Sequence, residues 1–166
     1  DFVSDSRANG RRIKCLTVAD DFSHECVNIA ADYGIGGQYV TRLLDQAALF
    51  RGHPHAVRTD NGPEFTSRAF MAWTQTHGIR HILIQPGRPM QNGYIESFNG
   101  KFRDECLNEH WFETLPQARH AIAAWRQDYN EVRPHSSCRR MPPAKYAASH
   151  RQRASDAILP TTEGFL

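Results

Sequence analysis

Apolar and polar residues alternate through the opening of the chain and then take up helical spacing. Residues 2–7 and 13–19 alternate on either side of Asn9-Gly10, a pair suited to the left-handed backbone of a tight turn, which predicts an antiparallel hairpin. Residues 26–31 continue as a third strand after a turn at Asp20-Asp21, completing a three-stranded meander. The period then changes, because Val40, Leu43, Leu44, Ala47 and Ala48 fall on one face of a helix. Residues 56–59 form a short strand ending at Asp60, and Phe70 and Trp73 belong to a helix closed by Gly78. Ile79, Ile82 and Ile84 mark a last apolar strand that the following Gln85-Pro86-Gly87-Arg88-Pro89 cannot continue. A long helix is predicted over residues 92–107, with Ile95, Phe98, Phe102 and Cys106 inward. Another covers 116–129, with Ala118, Ala121, Ile122, Trp125 and Tyr129 inward. Beyond Arg133-Pro134 the pattern gives way to a basic tail containing proline. Strands followed by alternating helices and strands are the order of an α/β fold around a mixed sheet.

Composition narrows this picture only a little. A chain of 166 residues, 40% hydrophobic and 23% charged, suits one folded domain and not a disordered segment. No apolar run is long enough to span a membrane. Cys15, Cys26, Cys106 and Cys138 form no Cys-x-x-Cys pair, which argues for reduced cytosolic thiols and against a zinc knuckle or a disulfide framework. The net charge of +2 is unevenly spread. Residues 1–35 carry four basic and six acidic side chains, whereas residues 133–153 carry six basic and none acidic. Seventeen of the twenty basic residues are Arg, the better bidentate partner for phosphate, although a solvated surface accounts for the charge equally simply. The opening Asp1-Phe2-Val3 has the character of a strand interior, so the chain is expected to be a fragment of a longer protein.

The candidate chemistry lies in three carboxylates. Asp1 is on the first predicted strand, Asp60 ends the fourth, and Glu96 is in the first turns of the long helix. Two neighbouring strand ends with a helix packed across them would bring all three to one point, where they would repel unless cations held them. Hard oxygen donors without His or Cys partners favour Mg²⁺ or Mn²⁺. Two such ions about 4 Å apart serve in-line phosphoryl displacement. Taken singly, Asp60-Asn61-Gly62 is an ordinary turn, and a Glu near a helix N-terminus is favoured by the helix dipole alone.

Taken together, Asp60-Asn61-Gly62-x-x-Phe65, 35 residues between the carboxylates, and Asn92-Gly93-x-x-Glu96-Ser97-x-Asn99 resemble the catalytic core of retroviral integrases. They are still more similar to the transposases of bacterial insertion sequences, as are the opening 25 residues and residues 129–137, with 142–146 beyond them. The resemblance implies a ribonuclease H-like fold, a mixed five-stranded sheet with helices on both faces. It implies Asp1, Asp60 and Glu96 as the catalytic, metal-binding triad for two Mg²⁺ (or Mn²⁺). It implies Asn92 and Arg103 as DNA contacts, and Lys101 stands beside them. Gly62 is expected to supply backbone freedom to the turn. Cys138-Arg139 stand where the family shows Leu-Gly, and the family's Trp and helix-turn-helix region would precede Asp1.

The resulting expectation is a transposase catalytic domain over residues 1–135 with a basic tail over 136–166 and the upstream DNA-binding region absent. It would cleave element ends and transfer the freed strand into target DNA. Its partners would be double-stranded DNA and further copies of itself, in the bacterial cytoplasm at the nucleoid and at no membrane. A non-catalytic remnant that binds DNA or dimerises, or a ribonuclease H-type nuclease, are the alternatives. The segment 85–93 is expected to order on DNA. Among rival residues, Asp5 shares the strand parity of Asp1, and Asp20-Asp21 suits a turn. His53-Pro54-His55 lacks a third metal ligand in the sequence around it. Ser97 has no His-Asp partner for nucleophilic catalysis.

Overall fold

The computed structural model describes residues 1–85, 87 and 93–158, with 152–158 described by backbone alone. Strands β1 (Phe2–Ser6), β2 (Arg12–Ala19) and β3 (Cys26–Asp32) form the antiparallel meander, in the order β1-β2-β3. The hairpin turns as its sequence predicts: Gly10 takes φ 80° and its amide donates to Arg7 O at 2.8 Å, while Arg11 N donates to Asn9 Oδ1 at 3.0 Å. Helix α1 (Gly37–Arg51) leads to β4 (Ala56–Thr59), then to α2 (Pro63–Thr66) and α3 (Arg68–Thr76). Strand β5 (Arg80–Leu83) pairs with β4 in parallel. Helix α4 (Gly93–Phe102) runs into a π-helical turn, Arg103–Leu107, and α5 (Leu115–Glu131), a 3₁₀ turn (Ser136–Cys138) and α6 (Pro143–Ile158) follow.

The period of two along β2 sorts the molecule into two cores. Ile13 and Cys15, with Val3, Cys26 and Ala31, face α4 and α5, where Phe98, Phe102, Ile122 and Tyr129 complete a buried cluster. Leu16 points the other way, into a second cluster with Val40, Leu44, Phe65, Phe70 and Trp73. Helices therefore cover both faces of an α/β sheet. Helix α5 is started by Thr114, whose Oγ1 accepts from Gln117 N, while Gln117 Oε1 accepts in return from Glu113 N.

One expectation needs correction. The five strands do not form one mixed sheet; they form a three-stranded antiparallel sheet and a separate two-stranded parallel one. Strand β1 covers Arg12 to Leu16 of β2, and Asp1 extends that pairing only to Thr17, whose amide donates to Asp1 O at 2.8 Å. Beyond that point β2 and β4 face each other across a cavity of about 530 Å³, lined by Val18 and Ala19 on one side and Val57, Arg58 and Thr59 on the other. Among the described residues no ladder joins β4 or β5 to the meander. The region beyond Pro134 also carries regular structure, since Cys138 and Ala147 are buried and α6 is a full helix.

Candidate active site

The site is built where β1 begins, β4 ends and α4 starts. Asp1 pairs with Thr17 through its main chain, its nitrogen donating to Thr17 O at 3.0 Å. Its carboxylate accepts at Oδ1 from Phe2 N (2.8 Å) and at Oδ2 from Asn99 Nδ2 (2.8 Å). Burial lowers the pKa of the Asp1 amino group to about 6, and the carboxylate of Asp60 acts in the opposite sense. Asp1 and Asp60 thus lie near each other, and both line the cavity between β2 and β4.

Asp60 follows β4 and opens an Asx turn in which its Oδ1 accepts from Gly62 N at 2.9 Å. The role expected of Gly62 is not the one it plays. Its φ is −58°, open to any residue; what it lacks usefully is a side chain. A Cβ there would come to 2.9 Å from both Asp60 Oδ1 and Glu64 Oε2. Asn61 anchors the turn, donating to Ile84 O at 3.2 Å beside β5. Glu64 is held by an ion pair with Lys14 of β2. Burial works to raise the Glu64 pKa, but the hydrogen bond and charge of Lys14 keep it below the usual carboxylate range.

Glu96 is exposed in the first turn of α4, and two polar side chains on either side of it fix how that helix sits. Two residues before it, Tyr94 donates to His24 O at 3.0 Å and meets Tyr129 Oη at 3.3 Å. Burial, reinforced by Tyr129, raises the Tyr94 pKa and keeps the phenol protonated. One turn after Glu96, the buried Asn99 spans Asp1 and Thr17, accepting from Thr17 Oγ1 at 2.7 Å. Tyr94 was not singled out from sequence, whereas Asn99 closes the motif that begins at Asn92. Asn99 left a signal there: it stands within the apolar stripe of Ile95, Phe98 and Phe102, where an amide must find buried partners.

The three carboxylates are not drawn into a tight cluster. Among the described residues, the trio whose ligand atoms all lie within 4.8 Å of one another is Asp45, His53 and His77. Lys101 and Arg103 are exposed at the end of α4 and the start of the π turn. Asn92 lies outside the described residues, as does most of the segment 85–93. The rivals resolve as turns and pairs. Asp20 Oδ1 accepts from Phe22 N and Ser23 N, and Asp21 pairs with Arg58 at 2.7 Å. All four cysteines are buried and free. No helix among the described residues is long and apolar enough to cross a membrane.

Comparison with known proteins adds the family. Two family models, each described as an integrase core domain, match residues 1–89 and 77–143. An uncharacterized 39.2 kDa protein of insertion element IS476 from Xanthomonas euvesicatoria is 69% identical over 164 residues, covering 99% of this chain and 47% of that protein. An uncharacterized 31.7 kDa protein of insertion element IS407 from Burkholderia multivorans is 64% identical over 154 residues, covering 93% of this chain and 56% of that protein. The chain thus spans about half the length of these curated relatives. Among solved structures, the HTLV-2 integrase catalytic core domain in complex with magnesium, in its trimeric form, superposes with a TM-score of 0.70. It is 19% identical, with 88% of this chain and 91% of that one covered, and that likeness shows the fold.

Proposed function

This chain belongs to the integrase core domain family, and from that premise we propose that it is the catalytic domain of an insertion-element transposase. The proposed reaction is cleavage of a phosphodiester at each element end, followed by attack of the freed 3′-hydroxyl on target DNA. The observation that supports it most is the hydrogen bond from Asn99 to Asp1. It ties the helix that bears Glu96 to the strand that bears Asp1, at the cavity where Asp60 also stands.

Asp1, Asp60 and Glu96 would hold two Mg²⁺ or Mn²⁺ ions, because an all-carboxylate donor set suits hard cations and Asp60 and Glu96 are open to solvent. Bound there, such ions supply charge stabilisation to the attacking and leaving oxygens of the phosphodiester. The chain's own part is positioning. Asn99 holds the Asp1 carboxylate, Tyr94 fixes the first turn of α4, and the turn at Gly62 orients Asp60. Lys101 and Arg103 would contact DNA phosphates, with Asn92 near the reacting strand. No side chain serves as nucleophile, so no covalent enzyme intermediate forms.

The magnesium and the trimeric form of the HTLV-2 core support the metal and a homo-oligomeric assembly. The insertion-element relatives are bacterial, which fits double-stranded DNA, as element ends and target, as the partner, and a place in the cytoplasm at the nucleoid belongs to the same proposal. The test is a strand-transfer reaction with Mn²⁺, a labelled duplex ending in the element's pre-cut 3′-hydroxyl, and a plasmid target. Joined products are expected from the unaltered chain and none from Asp60→Asn or Glu96→Gln, with folding checked by circular dichroism. Products that persist in both variants would refute the assignment.

A further inference from the structure

We propose that Asp45, His53 and His77 form a binding site for a divalent transition-metal ion of the zinc type, separate from the three carboxylates. The three residues come from three places: Asp45 from α1, His53 from the loop between α1 and β4, and His77 from the C-cap of α3. Their ligand atoms all lie within 4.8 Å of one another.

Hydrogen bonding alone leaves part of this arrangement unexplained. Asp45 Oδ1 already accepts from Trp73 Nε1 at 2.7 Å and meets His53 Nε2 at 3.1 Å. His77 Nε2 stands 3.7 Å from the same oxygen, too far for a hydrogen bond. Its ring is nevertheless stacked on that of His53, with centroids 4.0 Å apart and planes 15° apart. Two imidazole Nε2 atoms and a carboxylate therefore lie together, and among the described residues the carboxylate is in hydrogen-bond range of His53 and not of His77. A metal ion satisfies both.

The donor set decides which metal. Two imidazoles and one carboxylate suit Zn²⁺, Co²⁺, Ni²⁺ or Cu²⁺, whereas Mg²⁺ prefers oxygen alone. Tetrahedral bonds of about 2.0–2.1 Å put ligand atoms about 3.3 Å apart, so the side chains must draw inward by about 1.5 Å at most. All three are exposed and can do so, one imidazole turning out of the stack so that both Nε2 lone pairs point at the ion, and solvent can supply the remaining ligand. Trp73 holds the Asp45 carboxylate in orientation, as a neighbour of a metal ligand commonly does. The cysteines do not compete, because each is buried and burial raises its pKa, Cys15 and Cys26 to about 12. An ion at this point would staple the loop before β4 to α1 and α3, and β4 is the strand that ends at Asp60.

Titration calorimetry with zinc chloride tests the site on the whole chain. One zinc per chain is expected, bound at least tenfold more weakly by His53→Ala and by His77→Ala, and not displaced by excess Mg²⁺. Equal zinc affinity in both variants and the unaltered chain, or displacement by Mg²⁺, would overturn the proposal. Anomalous scattering at the zinc edge from crystals of the unaltered chain gives the same answer without a variant: a peak bonded to His53 and His77 supports the site, and zinc bound elsewhere or nowhere refutes it.

Discussion

Arg139 holds a left-handed backbone, φ 53° and ψ 37°, the region that favours glycine. Left-handed geometry costs a residue with a Cβ roughly 1–2 kcal/mol, less the entropy a glycine would lose on folding. Arg139→Gly is therefore expected to stabilise the fold by about 0.5–1 kcal/mol, read as an upward shift of the urea midpoint. Its neighbour Cys138 is fully buried and its thiol reaches Ser23 O at 3.5 Å. Asp1, Asp60 and Glu96 were drawn from the sequence through the resemblance of their motifs to a known catalytic core, and the structure sets Asp1 and Asp60 on one cavity. Tyr94 was not marked, because its importance depends on the partners that folding brings to it, and what Asn99 does in its motif shows only in its bonds to Asp1 and Thr17. Gly62 shows the opposite failure. A glycine in a turn suggests left-handed backbone, yet here the need is for space beside two carboxylates.

At the scale of elements, alternation and helical spacing made most strands and helices legible, including β4 to the residue. The one-turn helix α2 was not, since Pro63 to Thr66 is too short for any period to show. Nor was the π turn after α4, where Asn108 N reaches back five residues to Arg103 O at 2.8 Å. The protection of β3 was invisible for a different reason. That strand is the edge of its sheet, and α5 covers the edge with polar side chains. Asn130 bonds both the amide (2.8 Å) and the carbonyl (2.9 Å) of Cys26. Arg126 donates to Cys26 O and Val27 O, and Arg119 to Ala31 O. These look in sequence like the solvent face of a helix. Asn130→Ala leaves the buried amide of Cys26 without its partner, while Cys26 O keeps Arg126, and is expected to cost about 1–3 kcal/mol in chemical denaturation. Arg119→Ala, at a partly exposed contact, should cost about 1 kcal/mol or less.

Taken whole, the molecule is two apolar cores on opposite faces of one meander, with the carboxylates at the margin between them. That division follows from the parity of β2 and was legible; the break between the two sheets was not, because parity says nothing about which strand edges meet. Asp1 and Asp60 share one cavity, but with Glu96 they do not bring their ligand atoms within 4.8 Å of one another, and acting as one centre they would be drawn together by cations. The most direct test is a crystal grown with Mn²⁺ and measured at the manganese absorption edge. Anomalous peaks bonded to Asp60 and Glu96, with Asp1 in the same coordination shell, are the predicted result. Manganese found only at other residues, or none at these carboxylates at saturating concentration, would contradict it.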